Sequence, residues 1–295
     1  MSPMTAHHGP RAAADRARGA ASDAADSADQ AADRVTRSPG FRTAARAGFV
    51  MNGLVHILIG WIALQIALGG SGGGSADQSG ALGSIARAPG GAVVLAVGAV
   101  AMIALALWCA VDAWVEARTQ TEARKKASKA VSAAGKGVAF AAVGVLAAKF
   151  ALGGGGSSSA QSSGAASTAL ATPGGQILVI VVGLVIVGIG VYHVYKGVSR
   201  KFEDDLAAPH GGSVGKAVVV TGVIGFVAKG LALIAVGGLL GWAGVMVDPK
   251  DATGLDGGLR AIAGLPFGTV LLALVGIGLV VYGLFSFLRA RYQRL

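Results

Sequence analysis

GFVMNGLVHILIGWIALQIAL, residues 48–68, runs 21 residues without an Asp, Glu, Lys or Arg. A helix needs roughly 20 residues to cross the hydrocarbon core of a bilayer, so this stretch predicts a transmembrane helix. Five further apolar stretches of similar length lie at 91–113, 131–152, 175–196, 220–245 and 267–288. Segments that are apolar on every side have no useful period, so length decides between helix and strand, and all six are helix length. A β-barrel would show alternating segments of about 10 residues, and none occur. A polar tail of 47 residues precedes the first span and no small-residue cleavage site follows it; the reading is a retained helix rather than a signal peptide. Composition agrees: 53% hydrophobic and only 14% charged, mean hydropathy +0.64, against about 25% charge in soluble chains. A soluble globular protein is excluded. The single cysteine, Cys109, excludes a disulfide scaffold and any Cys-based zinc, iron–sulfur or haem site.

Lys and Arg set the orientation, because cytoplasmic loops retain them. The tail, the links after the second and fourth spans and the C-terminal end hold 19 of the 25 basic residues, whereas the three opposite loops hold only Arg87, Lys250 and Arg260. Both termini are therefore expected in the cytoplasm of a bacterial plasma-membrane protein. The net charge of +10 does not indicate nucleic acid, since the bases are dispersed over four juxtamembrane segments. Anionic lipids of the inner leaflet are the simpler partner, at about 1 kcal/mol per nearby base. Trp114, Tyr195 and Tyr292 suit an inner aromatic belt and Trp242 an outer one.

The chain repeats itself three times. Gly53 recurs as Gly137 and Gly230, Gly60 as Gly144 and Gly237, and Pro89 as Pro173 and Pro266, each at offsets of 84 and 177. The unit is a helix A, a Gly/Ser-rich outer loop, a short turn ending in Pro, and a helix B. The expected fold is all-α: six transmembrane helices as three tandem, parallel two-helix repeats with pseudo-threefold symmetry. Residues 1–41 form a tail, expected to be disordered; 42–120, 121–205 and 206–295 are the repeats. Two spans per unit bring every copy into the membrane in the same sense, relating the copies by an axis along the membrane normal. The seven-residue spacing of Gly53/Gly60, Gly137/Gly144 and Gly230/Gly237, matched by Gly183/Gly190 and Gly276/Gly283, returns to one helix face and reads as a seam for close packing. The prolines are expected to begin each helix B, and the apolar turns before them, with Leu82, Ile85, Leu259 and Ile262, to lid the outer end as short helices.

Ala45-Arg46-Ala47-Gly48-Phe49, Ala228-Lys229-Gly230, Gly258-Leu259-Arg260-x-Ile262-Ala263-x-x-Pro266-Phe267-Gly268 and Gly278-Leu279-x-x-Tyr282-Gly283 together resemble a bacterial membrane family labelled domain of unknown function 1206. The resemblance covers about Arg42 to the C-terminus and is best in the third repeat. It implies three tandem two-helix repeats, and it brings no activity, cofactor or site residues.

No catalytic constellation appears, so an enzyme is not expected, and no cofactor or metal is implied. His7, His8, His56, His193 and His210 form no pair at metal-ligand spacing with carboxylates. Gly69–Ser75 and Gly153–Ser159 read as flexible linkers; neither is followed by the Lys-Ser/Thr of a phosphate loop. Cys109 reads as a small buried residue, and His193, which aligns with Cys109 and Ser286, gives no consistent chemistry. One repeated polar position stands out: Asn52, Lys136 and Lys229, each directly before a seam glycine, with His56 one turn beyond Asn52. Facing the axis, they would form a site for an anion or acidic headgroup. Lysine snorkelling to the inner interface is the plainer account and the one favoured on sequence alone. Asp112, Lys196 and Arg289 also align, and read more readily as solvated interfacial charges than as an inter-repeat salt bridge. For function, a structural or accessory membrane protein binding lipid or partner proteins requires only these features. A small transporter or channel for an anion or solute along the pseudo-threefold axis is the alternative; it would need a polar path that continues through the outer half.

Overall fold

The computed structural model describes residues 38–69, 74–119, 123–207 and 212–293, with Ser27 and Gln30; the side chains of 112, 113, 115–119 and 123–133 are not among those described. The expectations for residues 1–37, for 70–73, for Asp112 and for His7, His8 and His210 fall outside the described residues. The helices are α1 (Pro39–Ala67), α2 (Gln78–Ala86), α3 (Gly91–Thr119), α4 (Ala123–Ala151), α5 (Ser158–Leu170), α6 (Gly175–Val198), α7 (Gly212–Met246), α8 (Gly254–Ala263) and α9 (Gly268–Tyr292), with 3-10 turns at Glu203–Asp205 and Pro249–Asp251. Six of them, α1, α3, α4, α6, α7 and α9, are long and apolar enough to span a bilayer, which makes this a multi-pass membrane protein. Helix α1 starts earlier than the tail reading allowed: Ser38 accepts from the Phe41 amide at 3.2 Å and Pro39 takes the first turn, where its missing N–H costs nothing.

The tightest helix pairs are not the hairpins. They are α3 with α4, α6 with α7, and α9 with α1, so each helix B packs on the helix A of the next repeat and the last returns to the first. The seam glycines explain this. A Cβ built on Gly53 would stand 2.7 Å from the Gly283 carbonyl oxygen, and one on Gly60 2.5 Å from that of Gly276. Gly230 and Gly237 meet the Gly190 and Gly183 oxygens in the same way, both at 2.6 Å. In the third seam Ala106 and Ala99 stand opposite Gly137 and Gly144, at 3.4 and 3.3 Å, and the helices sit correspondingly further apart. Carbonyls this close to a facing Cα make the C–H···O contacts of tightly packed membrane helices.

Inside repeats 1 and 3 the two helices also touch each other, α1 with α3 and α7 with α9; among the described residues α4 and α6 make no comparable contact. The main apolar core lies toward the end bearing the short helices. There Leu82, Ile85, Leu259 and Ile262 are buried together with Ile59, Met102, Leu146 and Leu272 of the spans. The short helices therefore do cap that end. They are also joined to one another: Asp77 caps α2 through the Gly80 amide at 3.0 Å and accepts from Ser79 at 2.6 Å and Ser159 at 3.4 Å, while Asp256 accepts from the Ala76 amide at 2.7 Å.

Two local expectations are corrected. Ser158 and Ser159 belong to α5, whose N-cap is Ser157, so that linker ends sooner than its composition implied. The prolines do not begin the following helices. Pro89, Pro173 and Pro266 sit two residues earlier, inside turns closed by Gly91 N–H to Ala88, Gly175 N–H to Thr172 and Gly268 N–H to Leu265. Gly174, at φ 79° and ψ −4°, has the third-position geometry of a type II turn, which wants Pro before it and Gly at its place. Gly90 (φ 75°) matches it, whereas repeat 3 puts Phe267 there at φ 60°.

Candidate functional site

Three of the polar positions predicted in the spans, Asn52, His56 and Lys229, gather around α9, and Lys136 does not. Asn52 on α1 is buried, and its Nδ2 donates to Ser286 Oγ at 3.1 Å; Ser286 in turn donates to the Tyr282 carbonyl at 3.1 Å. One turn along α1, His56 Nδ1 lies 2.8 Å from the Asn52 carbonyl oxygen. A carbonyl only accepts, so Nδ1 carries a proton and donates it to Asn52. The His56 ring lies against Tyr282, centroids 4.8 Å apart. From α7, Lys229 Nζ donates to the Tyr282 hydroxyl at 3.2 Å, with the ammonium 4.4 Å from the ring centroid, a cation–π geometry.

His193 on α6 repeats the His56 arrangement, with Nδ1 2.8 Å from the Ile189 carbonyl and its ring 5.8 Å from Phe226. It lies within electrostatic reach of Lys136, Lys229 and Lys196, and His56 within reach of Lys229 and His193. The two lysines differ. Lys229 is half-buried and turned into the bundle, whereas Lys136 is exposed. Three helices, α1, α7 and α6, thus bring Asn52, His56, Lys229 and His193 together. Lys136 borders them on a fourth, α4.

The end bearing the chain termini is closed beneath this cluster. Phe202 stacks on Phe226 at 5.4 Å and 12° and fills the space left by Gly222. The segment carrying Phe202 is tied back by Lys196–Asp205 at 2.6 Å and by the Ala207 amide to the Tyr292 carbonyl at 2.7 Å. Lys196 therefore has Asp205 as its partner, and Arg289 lies 4.6 Å over the Phe49 ring and donates to Gln293 at 3.0 Å. Lys196 thus pairs within its own repeat, whereas Arg289 reaches Phe49 of repeat 1.

Chemically the cluster offers cations, imidazoles and hydrogen-bond donors, but no carboxylate: the sequence has no Asp or Glu between Glu122 and Glu203, and none within α1, α7 or α9. It also lacks a nucleophile paired with a base. No group of three or more His, Cys, Asp or Glu that could hold a metal occurs among the described residues. Sequence reading missed Tyr282, Ser286 and His193 as members. Repeat alignment held the signal, because Tyr282 replaces Leu105 and Ile189 of the other repeats and a hydroxyl in a span needs a partner.

The sequence profile of the Domain of Unknown Function (DUF1206) matches the chain three times, at 47–116, 131–200 and 224–293. The "Uncharacterized protein YxxB" of Bacillus subtilis (strain 168) is 26% identical over 261 residues, covering 87% of this chain and 93% of that protein. No solved structure matches.

Proposed function

Because the chain belongs to the Domain of Unknown Function (DUF1206) family, a premise that supplies three repeats and no chemistry, we propose a function from the site itself. The protein is a non-catalytic structural or accessory component of the bacterial plasma membrane, with both termini cytoplasmic, which holds an anionic group on Lys136 and Lys229 at its cytoplasmic end. The observation that carries this reading is the gathering of Asn52, His56 and Lys229 around Ser286 and Tyr282, with Lys136 exposed at the edge and no carboxylate in the sequence of α1, α4, α6, α7 or α9. An uncompensated lysine in hydrocarbon costs about 2.5–3.5 kcal/mol, and a phosphate of the inner leaflet offsets that cost where a second lysine would add to it. The concentration of 19 of the 25 basic residues on the terminal side supports the orientation. Transport along the axis fits less well, because the apolar core and the three short helices occupy the path that a solute would need.

The test is lipid analysis of the detergent-purified protein. Anionic phospholipid should co-purify with the wild type and be lost from the Lys136→Gln/Lys229→Gln double variant while both fold alike. Equal lipid content in the two would leave snorkelling as the whole account, and anion flux through the wild type in sealed vesicles would favour the transporter.

A further inference from the structure

Repeat equivalence exposes an opening in the bundle that is present only in repeat 2. On α4, Gly135 is exposed with nothing within 4 Å of a built Cβ, and Ala139 is exposed; their equivalents Met51 and Ala228, Val55 and Ala232 are all buried. On α6, Ile189 is 45% exposed where Leu105 is 0% and Tyr282 3%. Ile186 is likewise half-exposed, where Met102 and Leu279 are fully buried. These are the faces through which the helices of repeats 1 and 3 meet within their own hairpins, whereas among the described residues α4 and α6 make no comparable contact. The result is a crevice that opens sideways, with small residues on one wall and branched apolar ones on the other. At its inner end stand Lys136 and His193.

We infer that this crevice is the binding site of one anionic phospholipid, with an acyl chain between α4 and α6 and the phosphodiester on Lys136. The inference rests on the headgroup reading above and adds the route and the ligand class. Three features select this occupant. Lys136 lies near the inner end of the apolar stretch 131–152, a depth that a phosphate at the leaflet boundary reaches. Among the described residues no carboxylate is paired with Lys136: of the acids that follow α6, Glu203, Asp204 and Asp205, the last is held by Lys196. A partner helix or second copy of the chain would have to carry a carboxylate into hydrocarbon to match Lys136, whereas a phospholipid brings its charge ready placed and an acyl chain for the apolar walls.

The test uses the full chain in vesicles of phosphatidylglycerol and phosphatidylcholine in equal amounts, with a benzophenone amino acid at Ile189 or, as a control on the outer surface of α3, at Leu107, which is 55% exposed. Phosphatidylglycerol adducts should exceed phosphatidylcholine adducts several-fold at Ile189 and match them at Leu107. Lys136→Gln should cut the Ile189 preference about fivefold, the ratio expected for one basic contact. Equal preference at both positions, or an adduct to a second polypeptide, would overturn the proposal. Protection of Ile189 by inorganic phosphate without any lipid adduct would also overturn it, by assigning the site to a soluble anion. If the lysine pair still governs co-purifying phospholipid while Ile189 marks none, the crevice fails and the headgroup reading stands.

Discussion

Replacing Gly60 with Ala adds one methyl group at the α1–α9 seam, where the structure leaves it no room. The new Cβ would lie 2.5 Å from the Gly276 oxygen and 2.8 Å from the Val280 nitrogen. Both obstacles are backbone, so no side chain can swing away. Relief requires α1 and α9 to separate until the contact opens toward the 3.4 Å of ordinary van der Waals approach, which loosens the paired contacts at Gly53 and Gly283 as well. Overpacking of this kind costs about 1–3 kcal/mol. The matched substitution Gly144→Ala meets the Ile103 side chain at 3.1 Å and the Ala99 oxygen at 3.3 Å. A flexible Ile tip can yield, and Ala gains up to about 1 kcal/mol over Gly in a helix, so the net change there should be near zero. Thermal unfolding of both variants in one detergent, followed by helical circular dichroism, reads the difference directly. Gly60→Ala should melt clearly lower than the wild type and Gly144→Ala within error of it. Equal losses at the two sites would refute the idea that the opposing backbone sets the seam distance.

Four further outcomes are expected. Phe267→Gly should raise stability by about 1 kcal/mol by removing a bulky residue from a left-handed conformation, and Gly174→Ala should lower it by a similar amount, both read from the melting midpoint. Asp77→Ala should cost about 1–2 kcal/mol through the lost helix cap and speed hydrogen exchange in residues 76–86, leaving exchange in α6 unchanged. Tyr282→Phe keeps the ring beneath Lys229 but removes its hydroxyl partner, so a loss of about 1 kcal/mol is expected, and it should vanish in a Lys229→Met background. In intact cells an impermeant maleimide should label a cysteine placed at Ser75 and not one at Ser38, with buried Cys109 silent; the reverse pattern would invert the topology.

Spans, repeats and seam positions were legible because each depends on local composition or on recurrence along the chain. Gly53 and Gly60 announce a packing face through their spacing, and Leu82 and Ile262 announce a buried turn. The identity of the partner across each face was not legible. A spacing of seven says which side of α1 is small, but nothing in it selects α9 over α3; that choice is a property of the folded bundle. For the same reason Asn52 could be flagged from its depth, while its bond to Ser286, 234 residues away, could not. The turns misled for a different reason. Pro is acceptable both at the first position of a helix and at the second of a type II turn, and only Gly90 and Gly174, with their positive φ, distinguish the two. The open side of repeat 2 was masked because Gly135 and Ala139 look like seam residues, and small side chains read alike whether they face a neighbouring helix or nothing.

The pairing of α9 with α1 also fixes an order in time. The chain is synthesised from its N-terminus, so α1 enters the membrane before α9. Until α9 arrives, the Gly53–Gly60 face of α1 has only lipid against it, and the Asn52 amide has no Ser286 to bond. Repeat 1 therefore cannot mature on its own, as the first domain of a modular protein does. Before α9 is made the helices fall into two groups, α1 with α3 and α4, and α6 with α7, and α9 joins them by packing on both α1 and α7. A chain halted before residue 268 would carry an unfilled seam on α1, a surface through which quality-control proteases could tell an unfinished copy from a finished one.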